Sequence, residues 1–307
     1  MATTVSKAHG PARAGRGGPA RFEPTEPRTT LWPVNSGSAS TNGEVGAALE
    51  DRGWRFYGIA LRDQPARRAR LERQAGELGV DLHLHLAERP SGADGFVSSA
   101  MRGCFESHLA CLRQAREDDA EVAAFLEDDV VVGKAFSRYM PGIEAWLRDR
   151  PWSLLYVGYL EDQSPTWFEP VELVGPGVAE GSGWHTQGTH FYVVHRRAID
   201  ALIANFEERQ VPGGHKIAPD GVLSEFHRDE DIRPLFCVPN LAYQAPGESS
   251  ISPRFSLKNK LLGIPVAAKA IGVVKAAQRD RRGKSSPAEW VEDWNRRAAE
   301  GGGPKVF

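Results

Sequence analysis

The chain has 307 residues, 41% hydrophobic and 25% charged, with a net charge of -2 and a pI near 6.5. That composition fits one large globular domain or two small ones and carries no basic bias toward nucleic acid, so no nucleic-acid partner is expected. The three cysteines, Cys104, Cys111 and Cys237, are odd in number and lack metal-type spacing, which points to a reduced, cytoplasmic chain. The basic N-terminus has no signal-like apolar core, and no uninterrupted apolar run is long enough to span a bilayer.

Residues 1–52, rich in Gly, Ala, Ser, Thr, Pro and Arg without periodicity, read as a disordered N-terminal segment. Order is expected from Trp54, with a first strand over Phe56–Leu61. A turn at Arg62–Pro65 leads to a helix over Ala66–Leu78 that stops at Gly79. Val80–Leu86 alternates like a strand, Gly103–Ala115 has helical spacing, and Glu121–Leu126 is a buried-type strand. A helix over Phe136–Arg148 and a strand over Trp152–Val157 follow. Gly158–Gly188 is then a long Gly-, Pro- and Trp-rich loop of the kind that carries function. A strand over Thr189–Val194, a helix over Arg196–Glu208, a punctuated loop over 211–221, a helix opening at Val222 and a short strand over Pro234–Val238 complete the pattern. This alternation predicts an α/β fold with a mostly parallel sheet flanked by helices. The domain is expected to span 53–254. A basic helical tail over 255–307 follows, whose Lys- and Arg-bearing apolar stretch from Leu257 suits either packing on the domain or peripheral contact with an anionic membrane.

The run Phe125-Leu126-Glu127-Asp128-Asp129-Val130 delivers three carboxylates where an apolar strand ends. Ligands of open α/β sheets bind at that edge. Adjacent carboxylates repel unless a cation or a hydrogen-bond network offsets them, and a hard divalent metal carrying a diphosphate would do so. The run therefore points to a nucleotide-handling enzyme.

Four segments then fall into one pattern: Tyr57–Asp63 with Arg67 and Arg68 behind it, Arg102-Gly103-Cys104-Phe105-Glu106-Ser107-His108, Phe125–Val130, and Gly188-Thr189-His190-Phe191-Tyr192-Val193-Val194. With Pro239, Gln244, Ser250 and Ile251 closing it, the pattern over roughly residues 55 to 252 resembles glycosyltransferase family 25, the lipopolysaccharide and collagen galactosyltransferase family. Met101 stands where that family often has Glu, and His190 where it has a small or neutral residue. The resemblance implies a GT-A type, Rossmann-like nucleotide-sugar fold and a UDP-sugar donor, often UDP-galactose. It also implies Mn²⁺ (or Mg²⁺), inversion at the anomeric carbon, and a glycan or lipid-linked acceptor at the cytoplasmic face.

Under that resemblance Asp129 is the first metal ligand, with Glu127 beside it as a second ligand or an orienting group at the strand end, and Asp128 toward the ribose or a metal-bound water. Leu61, Asp63, Arg67, Arg102, Ser107, His108, Gly188 and Thr189 line the donor site. An inverting transfer needs a general base. Asp220 is the candidate, equally suited to capping the helix that follows, with Glu225 and His227 as rivals. His185, His190, His215 and His227 are further possible metal ligands, Cys104 reads as a packing residue, and Tyr159, Trp167, Phe168 and Trp184 are acceptor-stacking candidates. Two other readings use the same residues: a hydrolase of nucleotide sugars, and a non-catalytic nucleotide-sugar or glycan-binding protein.

Overall fold

In the computed structural model, residues 40–160, 171–181, 188–229, 232–245 and 286–299 are described. They form a ten-stranded sheet with helices against both faces. In chain order the elements are α1 (Asn42–Glu50), β1 (Trp54–Leu61), α2 (Pro65–Leu78), β2 (Leu82–Ala87), α3 (Ser99–Glu117), β3 (Val122–Glu127), β4 (Val130–Val132) and α4 (Ala135–Leu147). Then come β5 (Leu154–Gly158), β6 (Val171–Gly175), β7 (Val178–Gly181), β8 (Phe191–His195), α5 (Arg196–Gln210), α6 (Pro219–Asp229), β9 (Leu235–Cys237), β10 (Ala242–Gln244) and α7 (Pro287–Ala299).

The sheet order is β2-β1-β3-β8-β5-β9-β7-β6, with β10 joining β5 to β4. β1 is parallel to β2 and β3, and β8 runs antiparallel between β3 and β5. Following every pairing, seven strands (β1, β2, β3, β5, β6, β9, β10) point one way and three (β4, β7, β8) the other. The expected mostly parallel α/β sheet is what the chain forms. From β1 the chain steps outward to β2 and then back past β1 to β3. Right-handed crossovers in opposite directions put α2 and α3 on opposite faces. The crevice at the carboxyl ends of β1 and β3 is thus a topological switch point, where such sheets bind ligands.

Strand alternation builds the two cores. Tyr57, Ile59, Ala123, Phe125, Tyr192 and Val194 face α3, α5, α6 and α7. Phe56, Ala60, Ala124, Leu126, Phe191 and Val193 face α1, α2 and α4.

Five elements depart from the expectations. α1 lies inside the segment expected to be disordered; Thr41 caps it in a reciprocal box with Glu44, and it packs on α2 and α4. The β6–β7 hairpin lies inside the expected long loop, and β4 and β10 pair with each other beside the acids. α7, by contrast, is a helix within the stretch expected as a helical tail, and it is tied to β6 by Asn295, which accepts from the Val171 N–H at 2.8 Å and donates to its carbonyl at 2.9 Å. The basic stretch from Leu257 lies outside the described residues, as do Trp167, Phe168, Trp184, His185, Ser250 and Ile251. No helix among the described residues is long and apolar enough to cross a membrane.

Candidate active site

β3 ends at Glu127, and Asp128 and Asp129 make the turn into β4. Glu127 follows the parity of Phe125 and turns toward α3. Asp128 follows Leu126 and turns toward α2. Glu127 and Asp128 are therefore served by different helices.

On the α2 side, Arg67 donates to Asp128 in a close ion pair and to Asp129 Oδ2 at 3.2 Å. Arg70, one turn further along the same face, donates to the Asp128 carbonyl at 3.2 Å, and the Leu61 N–H also bonds the Asp128 carboxylate. Burial raises the Asp128 pKa, with Arg67 opposing. Asp129 Oδ2 also accepts from Gln244 Nε2 of β10 at 2.9 Å, while its Oδ1 is buried with no hydrogen-bond partner. Burial first, then the Glu127 charge, pushes Asp129 up to about 7. A buried carboxylate with one unsatisfied oxygen is poised to take a cation or a donor group.

On the α3 side, Thr189 donates to Glu127 in a short hydrogen bond, and His108 Nε2 stands 3.4 Å from Glu127 Oε1. Burial raises the Glu127 pKa, but His108 and Thr189 outweigh it and hold the carboxyl at about 2. His108 is fully buried, with Nδ1 3.0 Å from the Tyr192 hydroxyl. The Cys104 thiol, His108 and Glu127 form a group whose ligand atoms lie within 4.8 Å of one another. Burial, and then Glu127, Asp220, Asp129 and Asp128 in turn, push the thiol well up.

Thr189 is positioned by Gly188, whose φ of +94 favours glycine and whose N–H points to Asp220 Oδ2 at 3.5 Å. A Cβ on Gly188 would meet His190 Nδ1 at 3.1 Å. Asp220 sits inside the first turn of α6, one residue past its start, and accepts the Gly221 N–H at 2.9 Å. It is therefore not the N-cap, though it satisfies a free N–H of that turn. Burial raises its pKa against those two N–H groups.

Several expected site residues are engaged elsewhere. Glu225 is held by Arg209 in a close pair and lies 3.7 Å from His215, so its carboxylate faces α5 and not the acids. Ser107 donates to the Gly103 carbonyl at 2.6 Å inside its own helix. Arg102 binds Glu106 at 2.7 Å and the Gly92 carbonyl at 3.2 Å. Asp63 pairs with Arg89 at 2.7 Å on the surface. Among the expected histidine ligands, His190 Nε2 lies 3.4 Å from the Ala242 carbonyl, His215 is exposed, and His227 is buried with Nε2 3.0 Å from the Tyr156 hydroxyl. Tyr159 is a core residue donating to the Cys237 carbonyl at 3.1 Å, not an exposed stacking face. Arg70 has no place in the sequence reading, and Cys104 stands there only as a packing residue. Arg70's position three residues after Arg67 is the signal that marks it, and the i, i+4 spacing of Cys104 and His108 marks the thiol.

A hollow of about 700 Å³ opens at the start of β1 and β2, lined by Glu50, Arg55, Tyr57, Asp81, His83 and Asp118. None of the acids at the β3 end lines it.

An α/β sheet with a polar, acid-rich switch point defines a ligand-binding enzyme scaffold. No protein-family model matches the chain. It is 24% identical over 215 residues to the lacto-N-neotetraose biosynthesis glycosyltransferase LgtB of Neisseria meningitidis serogroup B, covering 60% of this chain and 75% of that protein. It is 25% identical over 217 residues to the serogroup A protein of the same name, covering 60% and 74%. The chain is thus similar, over three fifths of its length, to proteins named as glycosyltransferases. Similar solved structures include a glycosyltransferase involved in glycosylation of the PBCV-1 major capsid (12% identity, TM-score 0.41, 64% of this chain and 95% of that one). A UDP-glucose pyrophosphorylase complexed with UDP-glucose also aligns (10% identity, TM-score 0.38, 64% and 76%). At those TM-scores neither structure bears on the chemistry of this chain.

Proposed function

We propose that the chain is an inverting glycosyltransferase of the family 25 type that moves a hexose, galactose by resemblance, from a UDP-sugar to a hydroxyl of a surface glycan or lipid-linked oligosaccharide. The observation that carries the reading is the buried, unpartnered Asp129 Oδ1 beside Arg67 at the switch point. The glycan-building LgtB relatives support the acceptor class.

A hard divalent cation fits that oxygen: Asp129 offers one anionic ligand, and a diphosphate would supply others. When bound, Mn²⁺ or Mg²⁺ offsets charge on the departing diphosphate. Glu127 is turned to His108 and Thr189, so Asp129 alone is proposed for this cation. Arg67 is placed to meet diphosphate charge while it neutralises Asp128. Asp220 is the proposed base. It takes the acceptor hydroxyl proton as the new C–O bond forms on one face of the anomeric carbon and the bond to phosphate breaks on the other. Its raised pKa strengthens it for that role.

The test is UDP release from a panel of UDP-hexoses, with and without Mn²⁺ and with and without oligosaccharide acceptors. Acceptor-stimulated release that falls about 10²–10³-fold in Asp129→Asn is expected, the size of losing one preorganised electrostatic group. Release without any gain from acceptor would make the protein a hydrolase. No release above the Asp129→Asn background with any donor would remove the enzymatic reading. Loss of binding to anionic liposomes on removing 255–285 is the corresponding check on the proposed membrane contact.

A further inference from the structure

Four features of the α3 side are left unused by glycosyl transfer. Cys104, His108 and Glu127 converge, each offering one ligand atom, with no pair of those atoms more than 4.8 Å apart. His108 and Glu127 already stand at 3.4 Å. His108 is 0% exposed, and its Nε2, aimed into the group, has no hydrogen-bond partner. Its other ring nitrogen lies 3.0 Å from the Tyr192 hydroxyl. When Nδ1 carries the proton and donates it to the tyrosine oxygen, Nε2 is free to turn a lone pair on an ion held between Cys104 and Glu127; without the ion the Nε2 proton faces the Glu127 carboxylate. Ligating histidines are oriented in this way by a second partner.

We propose that Cys104, His108 and Glu127 form a binding site for a borderline transition-metal ion of the Zn²⁺ class, separate from the hard-cation position at Asp129. The donor set decides the class. A thiolate and an imidazole with one carboxylate select Zn²⁺-type ions over Mg²⁺ or Mn²⁺, which prefer oxygen. Ligand bonds of about 2.0–2.3 Å set tetrahedral donors roughly 3.3–3.8 Å apart. The His108–Glu127 pair is therefore at coordination spacing, and the pairs to the sulfur need to close by at most ~1.3 Å. Cys104 and His108, four residues apart, share one face of α3, and β3 parity aims Glu127 at that face. Binding releases the thiol proton to solvent and leaves three protein ligands on the ion. The ion would clamp α3 to the end of β3 and fix Glu127, the residue from which Asp128 and Asp129 extend.

Co²⁺ added to the chelator-treated full chain tests the site directly. One equivalent should bind with a thiolate-to-cobalt charge-transfer band, and excess Zn²⁺ should displace it. The band should vanish in Cys104→Ala and persist in Cys111→Ala and Asp129→Asn. A second measurement on the wild-type chain does not depend on a variant folding: Zn²⁺ should slow alkylation of Cys104 at least tenfold, read by mass spectrometry, and Mn²⁺ should not. No band in the wild-type protein, a band that survives Cys104→Ala, or Cys104 alkylation unaffected by Zn²⁺ would overturn the proposal. None of these readouts depends on sugar transfer, so the site and the proposed activity stand or fall separately.

Discussion

Arg67 holds together two carboxylates that would repel without it. Its guanidinium reaches Asp128 and Asp129 at once, and its side chain is 21% exposed, so the pair lies between the surface and buried cases. Exposed pairs contribute at most about 1 kcal/mol, whereas breaking a buried pair costs roughly 3–5 kcal/mol. Arg67→Gln should fall between those limits in urea denaturation and should lower donor turnover well beyond its effect on stability. An unchanged urea midpoint would mean that the acids are neutralised by something other than Arg67. At this scale the sequence was partly legible. The acids, Arg67, His108 and Thr189 are all visible as motif positions. What adjacency in sequence concealed is divergence in space: Glu127 and Asp128 belong to opposite faces, so Glu127 serves α3 while Asp128 and Asp129 serve α2. The parity of Phe125 and Leu126 carries the split between Glu127 and Asp128, whereas Asp129 lies in the turn beyond the strand, where parity no longer holds. Glu225 was misplaced for a plainer reason, since nothing in the spacing of α6 reveals that Arg209 comes from α5 to meet it.

Elements legible in the sequence are those whose pattern matches their burial. β1, β3 and β8 are apolar runs buried on both faces, and α2 ends at Gly79, whose φ of +65 is the left-handed cap that glycine supplies. Elements that were not legible owe their place to tertiary contact. β4 and β10 are three residues each and exist by pairing with each other. The β6–β7 hairpin pairs through β7 with β9, a strand far along the chain. In α1, Gly43 and Gly46 lower the intrinsic helix propensity, yet Gly46 is where the helix meets the end of α2. A Cβ there would lie 1.8 Å from the Leu78 carbonyl oxygen and 2.8 Å from Val80 Cγ1. Gly76 of α2, by contrast, is exposed, and a Cβ on it would meet nothing within 4 Å. Opposite signs follow for one substitution. Gly46→Ala should destabilise by about 1–3 kcal/mol as backbone is forced apart, and Gly76→Ala should stabilise by roughly 0.5–1 kcal/mol through helix propensity. Thermal melts of the two variants check this; a neutral Gly46→Ala would mean that α1 is free to lift from α2.

The described residues stack helices on both faces of one sheet, and the α3/α5/α6 face carries a second buried histidine with a consequence for the whole sheet. His227 of α6 packs on Phe226 and Tyr156 and contacts the Tyr156 hydroxyl at 3.0 Å. Its Nδ1 is buried without a partner, so a proton there would add a charge with no acceptor. Burial depresses its pKa to about 3 from an ordinary value of 6.5. Its folded pKa lies below the unfolded one, so its contribution is fully present above pH 6.5. As the pH falls toward 3 the unfolded chain takes up a proton that the folded chain refuses, and stability is lost by up to about 1.4 kcal/mol per pH unit. Asp129, pushed up to about 7, works the other way, because its folded form binds the proton first. The wild-type slope is thus a difference of opposing terms, and a variant isolates the histidine. His227→Gln keeps an amide near the Tyr156 hydroxyl but cannot be protonated. At pH 7.5 it should be slightly less stable than wild type, by about 1 kcal/mol for an imperfect hydrogen bond. Below pH 6.5 the gap should close and then reverse, with the variant the more stable protein by pH 5. Urea denaturation of both proteins at half-unit pH steps from 7.5 to 4.5 measures it. Parallel stability curves would show that His227 is protonated in the folded state, and that α6 is not held on the sheet by a neutral imidazole.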